Sequence, residues 1–328
     1  MIGLAALTSF AVCLAGVGLL LRSRRHWALD LPNDRSLHVA PTPRTGGIAI
    51  MLGVAGGTAL VVSGVDQAPV AALGLAIVLS CISLADDCSG LPVVTRLMAH
   101  LLAAAVFAAY LTDSAAPWWW MLTTVLAMTA MTNFYNFMDG ANGLAAGMAI
   151  FGFGAYGIAA TQAAPGFAAV CMVIAASAAG FLPFNLAGRI FMGDAGSVPL
   201  GFLAAALGLQ GWAMGLWPHW FPVLVFAPFV ADAVSTLVSR IARRERFWEA
   251  HHDHHYQRLV RSGWSHARLA GAAYTLMVIC SACSLTARAG DNALRTAAFA
   301  TIAISLAVAG LAVELKWRRF RASQNTPP

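Results

Sequence analysis

Apolar runs of roughly 20 residues follow one another from one end of this chain to the other, each long enough to cross a bilayer. Backbone N–H and C=O groups find no water in hydrocarbon, so such runs must be helical or form a closed barrel. Barrel spans are about 10 residues long with alternating polarity, and these runs show neither property. Only 10% of the 328 residues are charged and 59% are hydrophobic, too few charges to cover a soluble surface. The chain therefore reads as an all-α, polytopic integral membrane bundle, with residues 1–328 as one domain. A soluble globular enzyme, a disordered chain and a disulfide scaffold are excluded.

The pattern predicts about eleven spans, near 2–21, 46–64, 68–85, 97–112, 117–135, 143–161, 166–184, 198–216, 220–240, 268–286 and 293–313. The first lacks a positively charged leader and is followed by Arg22, Arg24 and Arg25, so it reads as a retained span, not a cleaved signal peptide. Basic residues concentrate on the cytoplasmic side of membranes. With the N-terminus outside and the C-terminus cytoplasmic, 18 of the 20 basic residues fall inside, and only Arg288 and Arg295 face out. Trp118, Trp119, Trp120, Trp217 and Trp220 then lie at outer boundaries, where amphipathic rings prefer to sit. Of the acids, only Asp66, Asp113 and Asp291 fall outside; seven of nine histidines (His26, His38, His251, His252, His254, His255 and His266) fall in inner loops. Any chemistry is thus expected on the cytoplasmic face, in loops near 22–45, 86–96, 136–142, 185–197 and 241–267. The six cysteines, mostly within apolar runs, read as small packing residues. The basic tail from Lys316 reads as a stop-transfer anchor.

In the first inner loop Pro32, Pro41 and Pro43 bar a helix, and Gly46 and Gly47 open the next span. A turn alone does not explain why Asp34, Arg35, His38 and Arg44 crowd there, and Arg44 is a candidate substrate contact. In the second, Asp86 and Asp87 end a helix, where the macrodipole disfavours carboxylates. Adjacent, they repel each other unless a cation or cationic partner stands by. In the third, Asn133, Asn136, Asp139 and Asn142 recur every three residues, which puts amides and a carboxylate on one side. They form either a hydrogen-bond seam between helices or the wall of a polar pocket. In the fourth, Asn185, Arg189, Asp194 and Ser197 lie between two spans, with Gly193 and Gly196 flanking Asp194, which is either a turn residue or an uncovered metal ligand.

The fifth loop holds four histidines within five residues, seven arginines from Arg240 to Arg268 (Arg246 among them), Phe247 and Trp248. His251 and His255, four apart, would be half a zinc site with no second half. Arginine and histidine beside carboxylates suit a polyanion with Mg²⁺ better. Asp232, halfway along the ninth span, marks either a functional intramembrane acid or a buried pair with Arg or Asn of a neighbouring span. Taken together, these loops could converge only as a pocket at the membrane surface. Carboxylates with a hard cation handle phosphates, and the membrane supplies lipid. The combination points to phosphoryl transfer between a soluble nucleotide and a membrane-bound phosphate acceptor.

The strings PRTGG, ADDxxGLP with Arg96, NFYNFMDGANGLAAG, FNLAGRIFMGDAGS and the His-rich loop span residues 30 to 268 in one order. In that order and wording the chain resembles the polyprenyl-phosphate N-acetylhexosamine-1-phosphate transferases, the glycosyltransferase 4 family. HHDHHYQ preceded by RFWEAH resembles the branch that initiates O-antigen and related surface glycans more than the peptidoglycan-precursor branch. The resemblance implies a Mg²⁺-dependent reaction, with Mn²⁺ able to substitute, in the bacterial cytoplasmic (inner) membrane. UDP-N-acetylhexosamine and undecaprenyl phosphate would give undecaprenyl-diphosphate-N-acetylhexosamine and UMP.

By the same resemblance, Asp86 and Asp87 match the family's aspartate pair, which acts on the lipid phosphate or assists the metal, and Asp139 matches a further essential aspartate. Asp194, with Asp87, would hold the metal. Asn185, His251, His254 and His255 match positions that contact the nucleotide sugar, and Arg44, Asn136, Asn142, Phe191 and Arg246 complete the expected substrate-binding set. The chain departs from the family at Asn142, where many members carry a second Asp; an amide there hydrogen-bonds but has no charge. Direct attack of the lipid phosphate on the β-phosphorus is the favoured route over an aspartyl-phosphate. Membrane lipids are expected partners, nucleic acid is not, and oligomeric state, including a homodimer, stays open.

Two other enzyme classes lack their signatures here. Asp139-Gly140 is not followed by the AR of a CDP-alcohol phosphotransferase, and Asp86-Asp87 is not followed by the third Asp of a prenyl synthase. The alternative from a different class is a transporter of a lipid-linked or nucleotide-sugar substrate. Transporters place ionisable groups near mid-bilayer, and only Asp232 lies deep here.

Overall fold

The computed structural model describes residues 1–23, 28–30, 41–62, 67–112, 116–246 and 252–324. His26, Asp66, Asp113, Arg24 and Arg25 fall outside these ranges. The chain is a helical bundle with the order α1 (Ile2–Arg22), β1 (Leu29–Asp30), β2 (Thr42–Pro43), α2 (Gly46–Ala59), α3 (Gln67–Ser89), α4 (Val93–Leu111), α5 (Trp118–Phe137), α6 (Leu144–Ala160), α7 (Pro165–Leu186), α8 (Asp194–Ala213), α9 (Trp220–Val225), α10 (Ala227–Ala242), α11 (His255–Arg261), α12 (His266–Ala289) and α13 (Asn292–Gln324). Among the described residues, six helices (α1, α3, α4, α7, α12 and α13) are long and apolar enough to cross a membrane. The protein is a multi-pass membrane protein. Each of the eleven apolar runs holds helix, and α2 and α6 are shorter apolar helices.

The structure departs from the sequence reading in four places. The ninth run is broken at Phe226 into α9 and α10. Pro228 has no N–H to return to the preceding turn, so the helix stops and restarts there. The His-rich loop contains a short helix, α11. The basic tail is the last stretch of the 33-residue α13, not a separate segment. The all-α expectation is also modified by a two-residue antiparallel pairing of β1 with β2, Leu29 opposite Pro43 and Asp30 opposite Thr42.

Packing follows the rule for helices in lipid, where small residues let backbones approach. α1 buries Ala5, Ser9, Cys13 and Val17 at four-residue spacing and leaves Leu4, Leu7 and Leu19 exposed. Its buried stripe meets α2 and α7. α8 is buried along most of its length between α3, α5, α2 and α6. Gly201 of α8 allows this, since a Cβ there would press on Tyr135 and on the Thr132 backbone of α5. All six cysteines are free, and Cys13, Cys171 and Cys280 are buried packing residues.

Candidate active site

The C-terminal ends of α3, α5 and α7 and the N-terminal ends of α8, α11 and α12 surround one polar cavity of about 320 Å³. Arg44, Asp87, Asn136, Asp139, Asn142, Asn185, Phe191 and Asp194 all line it. Backbone pairing brings the distant loops together. Phe191 N–H donates to Pro43 O (2.8 Å), while Gly46 and Gly47 N–H donate back to Phe191 O (2.9 Å) and Met192 O (2.7 Å). Gly193 sits at φ 70° between them, and a side chain there would collide with the Arg44 carbonyl and crowd the Asp87 carboxylate.

The adjacent aspartates avoid each other by dividing their partners. Asp86 turns away from the cavity: its Oδ1 accepts the Leu91 N–H and its Oδ2 lies 3.1 Å from Arg96 NH1. Asp87 turns inward. Its Oδ2 accepts the Ala195 N–H (3.2 Å), capping the N-terminus of α8, where the helix dipole favours an anion. Arg44 flanks it, with Nε 3.5 Å from Oδ1 and NH2 donating to the Asp87 carbonyl at 3.0 Å. Arg96 also reaches Asp194 (3.7 Å) and so joins both halves of the acidic cluster. Asn136 Oδ1 accepts the Ser197 hydroxyl (2.7 Å).

Asp139 lies in the turn between α5 and α6. Burial first, then the neighbouring Asp194 and Asp87, hold its carboxyl well above the usual carboxylate range, against a hydrogen bond from the Gly193 backbone that pulls the other way. The carboxylates of Asp87, Asp139 and Asp194 thus face one cavity with Arg44 and Arg96 against them. Among the described residues no three His, Cys, Asp or Glu side chains form a ready-made metal cage. An open, all-oxygen donor set beside excess negative charge suits a hard cation that keeps its waters and shares a phosphate. It does not suit Zn²⁺.

Asn185, near the end of α7, is a brace: its Oδ1 accepts the Gly143 N–H (2.6 Å) and its Nδ2 donates to Ile190 O (3.0 Å), tying the α5–α6 and α7–α8 loops together. Asn133 bonds within its own helix, to Thr129 O, and does not line the cavity. Arg189 is exposed, with its guanidinium 5.8 Å from the centre of the Phe184 ring.

The His-rich loop is used differently from the expectation. His254 and His255 do not line the cavity; both turn to Asp232, with ring nitrogens 3.2 and 3.7 Å from its Oδ1. Asp232 also accepts the backbone N–H groups of His255 (3.0 Å) and Tyr256 (3.3 Å), and so caps α11. The deep acid is therefore neither a solitary intramembrane charge nor paired with Arg or Asn; it anchors this loop. Arg246 is exposed and away from the cavity; its carbonyl accepts Arg240 NH2 at 2.9 Å. Arg240 itself is paired with Asp253 (2.7 Å) and Glu245 (3.0 Å). His251, with Asp34, Arg35, His38, Phe247 and Trp248, lies outside the described residues.

The cavity is completed by Asp30, Tyr256, Gln257 and His266, to which the sequence reading assigned no role. The Tyr256 hydroxyl donates to Phe137 O (3.0 Å) and stands over Gly140, where a Cβ would strike it. His266 Nδ1 accepts the Asn142 N–H at 3.2 Å. The only sequence signal for Tyr256 and Gln257 was their place directly after the histidine cluster.

An apolar groove of about 730 Å³ adjoins the cavity, walled by α10, α12 and α13. Phe229, Leu276 and Val308 are among its lining residues, Tyr256 belongs to both spaces, and His255, Asp232 and Lys316 stand along its wall.

Fold and site together define a polytopic helical membrane protein with a charge-lined cavity where helix ends meet. Residues 69–211 match the family described as glycosyl transferase family 4. The chain is 26% identical over 257 residues to the probable undecaprenyl-phosphate N-acetylglucosaminyl 1-phosphate transferase of Bacillus subtilis (73% of this chain, 71% of the relative). It is 28% identical over 324 residues to the decaprenyl-phosphate N-acetylglucosaminephosphotransferase of Mycobacterium leprae (82% and 78%). A phospho-N-acetylmuramoyl-pentapeptide-transferase of Latilactobacillus sakei is 26% identical over 171 residues (50% and 51%). These matches support the polyprenyl-phosphate hexosamine-1-phosphate transferase family as the one this chain is similar to.

Proposed function

We propose that this protein transfers N-acetylhexosamine-1-phosphate from a UDP-sugar to undecaprenyl phosphate, releasing UMP, at the cytoplasmic face of the bacterial inner membrane. The observation that carries this reading is the shared wall at Tyr256: a cavity lined by Arg44, Asp87, Asp139 and Asp194 opens beside a groove large and apolar enough for part of a prenyl chain. A lipid whose tail lies in the groove would present its phosphate to the cavity. A transporter reading loses its one support, because Asp232 is committed to α11.

In the reaction, an oxygen of the lipid phosphate attacks the β-phosphorus of the UDP-sugar. A new P–O bond forms, the bond from that phosphorus to the oxygen bridging to the α-phosphate breaks, and UMP leaves with the bridging oxygen. Two anions must be brought together, so alignment and charge screening are the main tasks. Arg44, beside Asp87, would screen the phosphates, and Arg96, 3.7 Å from Asp194, would hold that carboxylate in register. Asp87 and Asp194, with Asp139 beside them, would hold Mg²⁺, or Mn²⁺ in its place. The ion, when bound, would neutralise charge on the diphosphate. Asn136, Asn142 and Phe191 line the cavity and would contact the nucleotide sugar. We assign the pathway to initiation of a surface glycan such as O-antigen on the form of the His-rich loop.

The test is incubation of membranes containing the protein with a panel of labelled UDP-sugars and undecaprenyl phosphate. Label should enter the lipid fraction with a UDP-N-acetylhexosamine and require divalent cation. No lipid-linked product from any UDP-N-acetylhexosamine would overturn the reading.

A further inference from the structure

We propose that Glu314, on α13, is a positioning residue for the cavity, acting through Arg258 of α11 to set where Tyr256 and Gln257 stand. The helix α11 has two working sides. Tyr256 and Gln257 line the cavity, while Arg258 and Arg261, one turn apart, meet α13. Arg258 is buried and its NH1 lies 3.2 Å from Glu314 Oε2; the other carboxylate oxygen, Oε1, takes Arg318 Nε at 2.7 Å. One turn on, the Arg261 guanidinium lies 5.2 Å from the centre of the Trp317 ring.

A seven-residue helix does not hold its shape unaided. Asp232 of α10 fixes its first turn. Beyond that turn Leu259 packs into the core, and Glu314 holds the Arg258 flank, because a buried guanidinium deprived of its carboxylate is costly. In the orientation where Arg258 meets Glu314, the Tyr256 hydroxyl donates to Phe137 O, over Gly140. The end of α13 beyond its apolar stretch, read from sequence as a plain anchor, is on this account part of the site's scaffold. The activity arm of the test rests on the transfer proposed above; the structural arm does not.

The experiment is hydrogen–deuterium exchange on the full-length protein in lipid nanodiscs, with transfer kinetics measured on the same samples. Glu314→Ala should speed amide exchange in residues 255–261 by about tenfold and leave α7 unchanged. It should raise KM for the UDP-sugar roughly tenfold, with a smaller effect on kcat, since small misplacements are costly to alignment. Glu314→Asp should restore most of both. Arg258→Met should partly rescue Glu314→Ala, because it removes the stranded charge. Unchanged exchange and KM in Glu314→Ala, or strictly additive effects of Arg258→Met and Glu314→Ala, would overturn the proposal. If Glu314→Ala proves unstable, Glu314→Gln carries the same exchange prediction at smaller size. If exchange responds as expected but the wild-type protein makes no lipid-linked product, the clamp stands and the transfer reading fails.

Discussion

Asp232 and His254 stand 3.2 Å apart, a carboxylate from the middle of α10 against the imidazole that caps α11. With Asp232 also accepting two backbone N–H groups, one side chain organises the start of the helix that closes the cavity. Asp232→Asn keeps one acceptor and Asp232→Ala keeps none. Leaving buried N–H groups unpaired costs about 1–3 kcal/mol each. Transfer should therefore fall in the order wild type, Asn, Ala, with the Ala variant down by more than about tenfold. Limited proteolysis should show earlier cleavage near 252–261 and an otherwise intact bundle. Equal activity in all three would remove Asp232 from the site's support.

Asp194→Asn tests the acidic cluster. The amide keeps the shape but carries no charge to balance Arg96 and is a weaker ligand for a hard cation. Cation-dependent transfer should fall by about a thousandfold with the melting temperature nearly unchanged. Near-normal transfer by a folded variant would take Asp194 out of the chemistry.

Asp139 gives a pH prediction. Its carboxyl is held above the usual range by burial and by Asp194 and Asp87. The folded state therefore keeps a proton that the unfolded chain has already lost. Its contribution to stability is complete below the ordinary carboxylate range and is lost as pH rises through the raised value. In chelator, the wild-type melting temperature should decline across that window, and Asp139→Asn should flatten the decline. Added Mg²⁺ should stabilise the wild type at neutral pH more than the variant. Parallel curves for the two proteins would contradict this.

Gly140 and Tyr256 should behave as a coupled pair. An Ala at 140 would strike the Tyr256 hydroxyl, so Gly140→Ala should be severely impaired. Tyr256→Phe removes the striking atom together with its hydrogen bond to Phe137 O and should cost less alone, about 1 kcal/mol. Gly140→Ala combined with Tyr256→Phe should then transfer faster than Gly140→Ala. A double variant slower than both singles would show that the clash is not what forbids a side chain there.

Much of this arrangement is legible in the sequence. Run length and charge asymmetry predict helices where α1 to α8, α12 and α13 stand, because both follow from the cost of polar groups in hydrocarbon. The motif loops that carry Arg44, Asp87, Asp139 and Asp194 do meet in one cavity. What composition does not reveal is which way a side chain turns. Asp86 and Asp87 are equivalent on paper, yet the turn at 89–92 claims one and the N-terminus of α8 claims the other. Histidine density drew attention to His254 and His255, while Tyr256 and Gln257 reach the cavity. That exchange depends on Asp232, which no local pattern pairs with a loop more than 20 residues away.

The most direct test of the central claim follows the phosphorus. With UDP-N-acetylglucosamine labelled at the β-phosphate, and undecaprenyl phosphate as acceptor, the account predicts that label moves into the lipid fraction in step with the sugar while unlabelled UMP appears in the water phase. Label retained in soluble UDP, with sugar alone on the lipid, would contradict it.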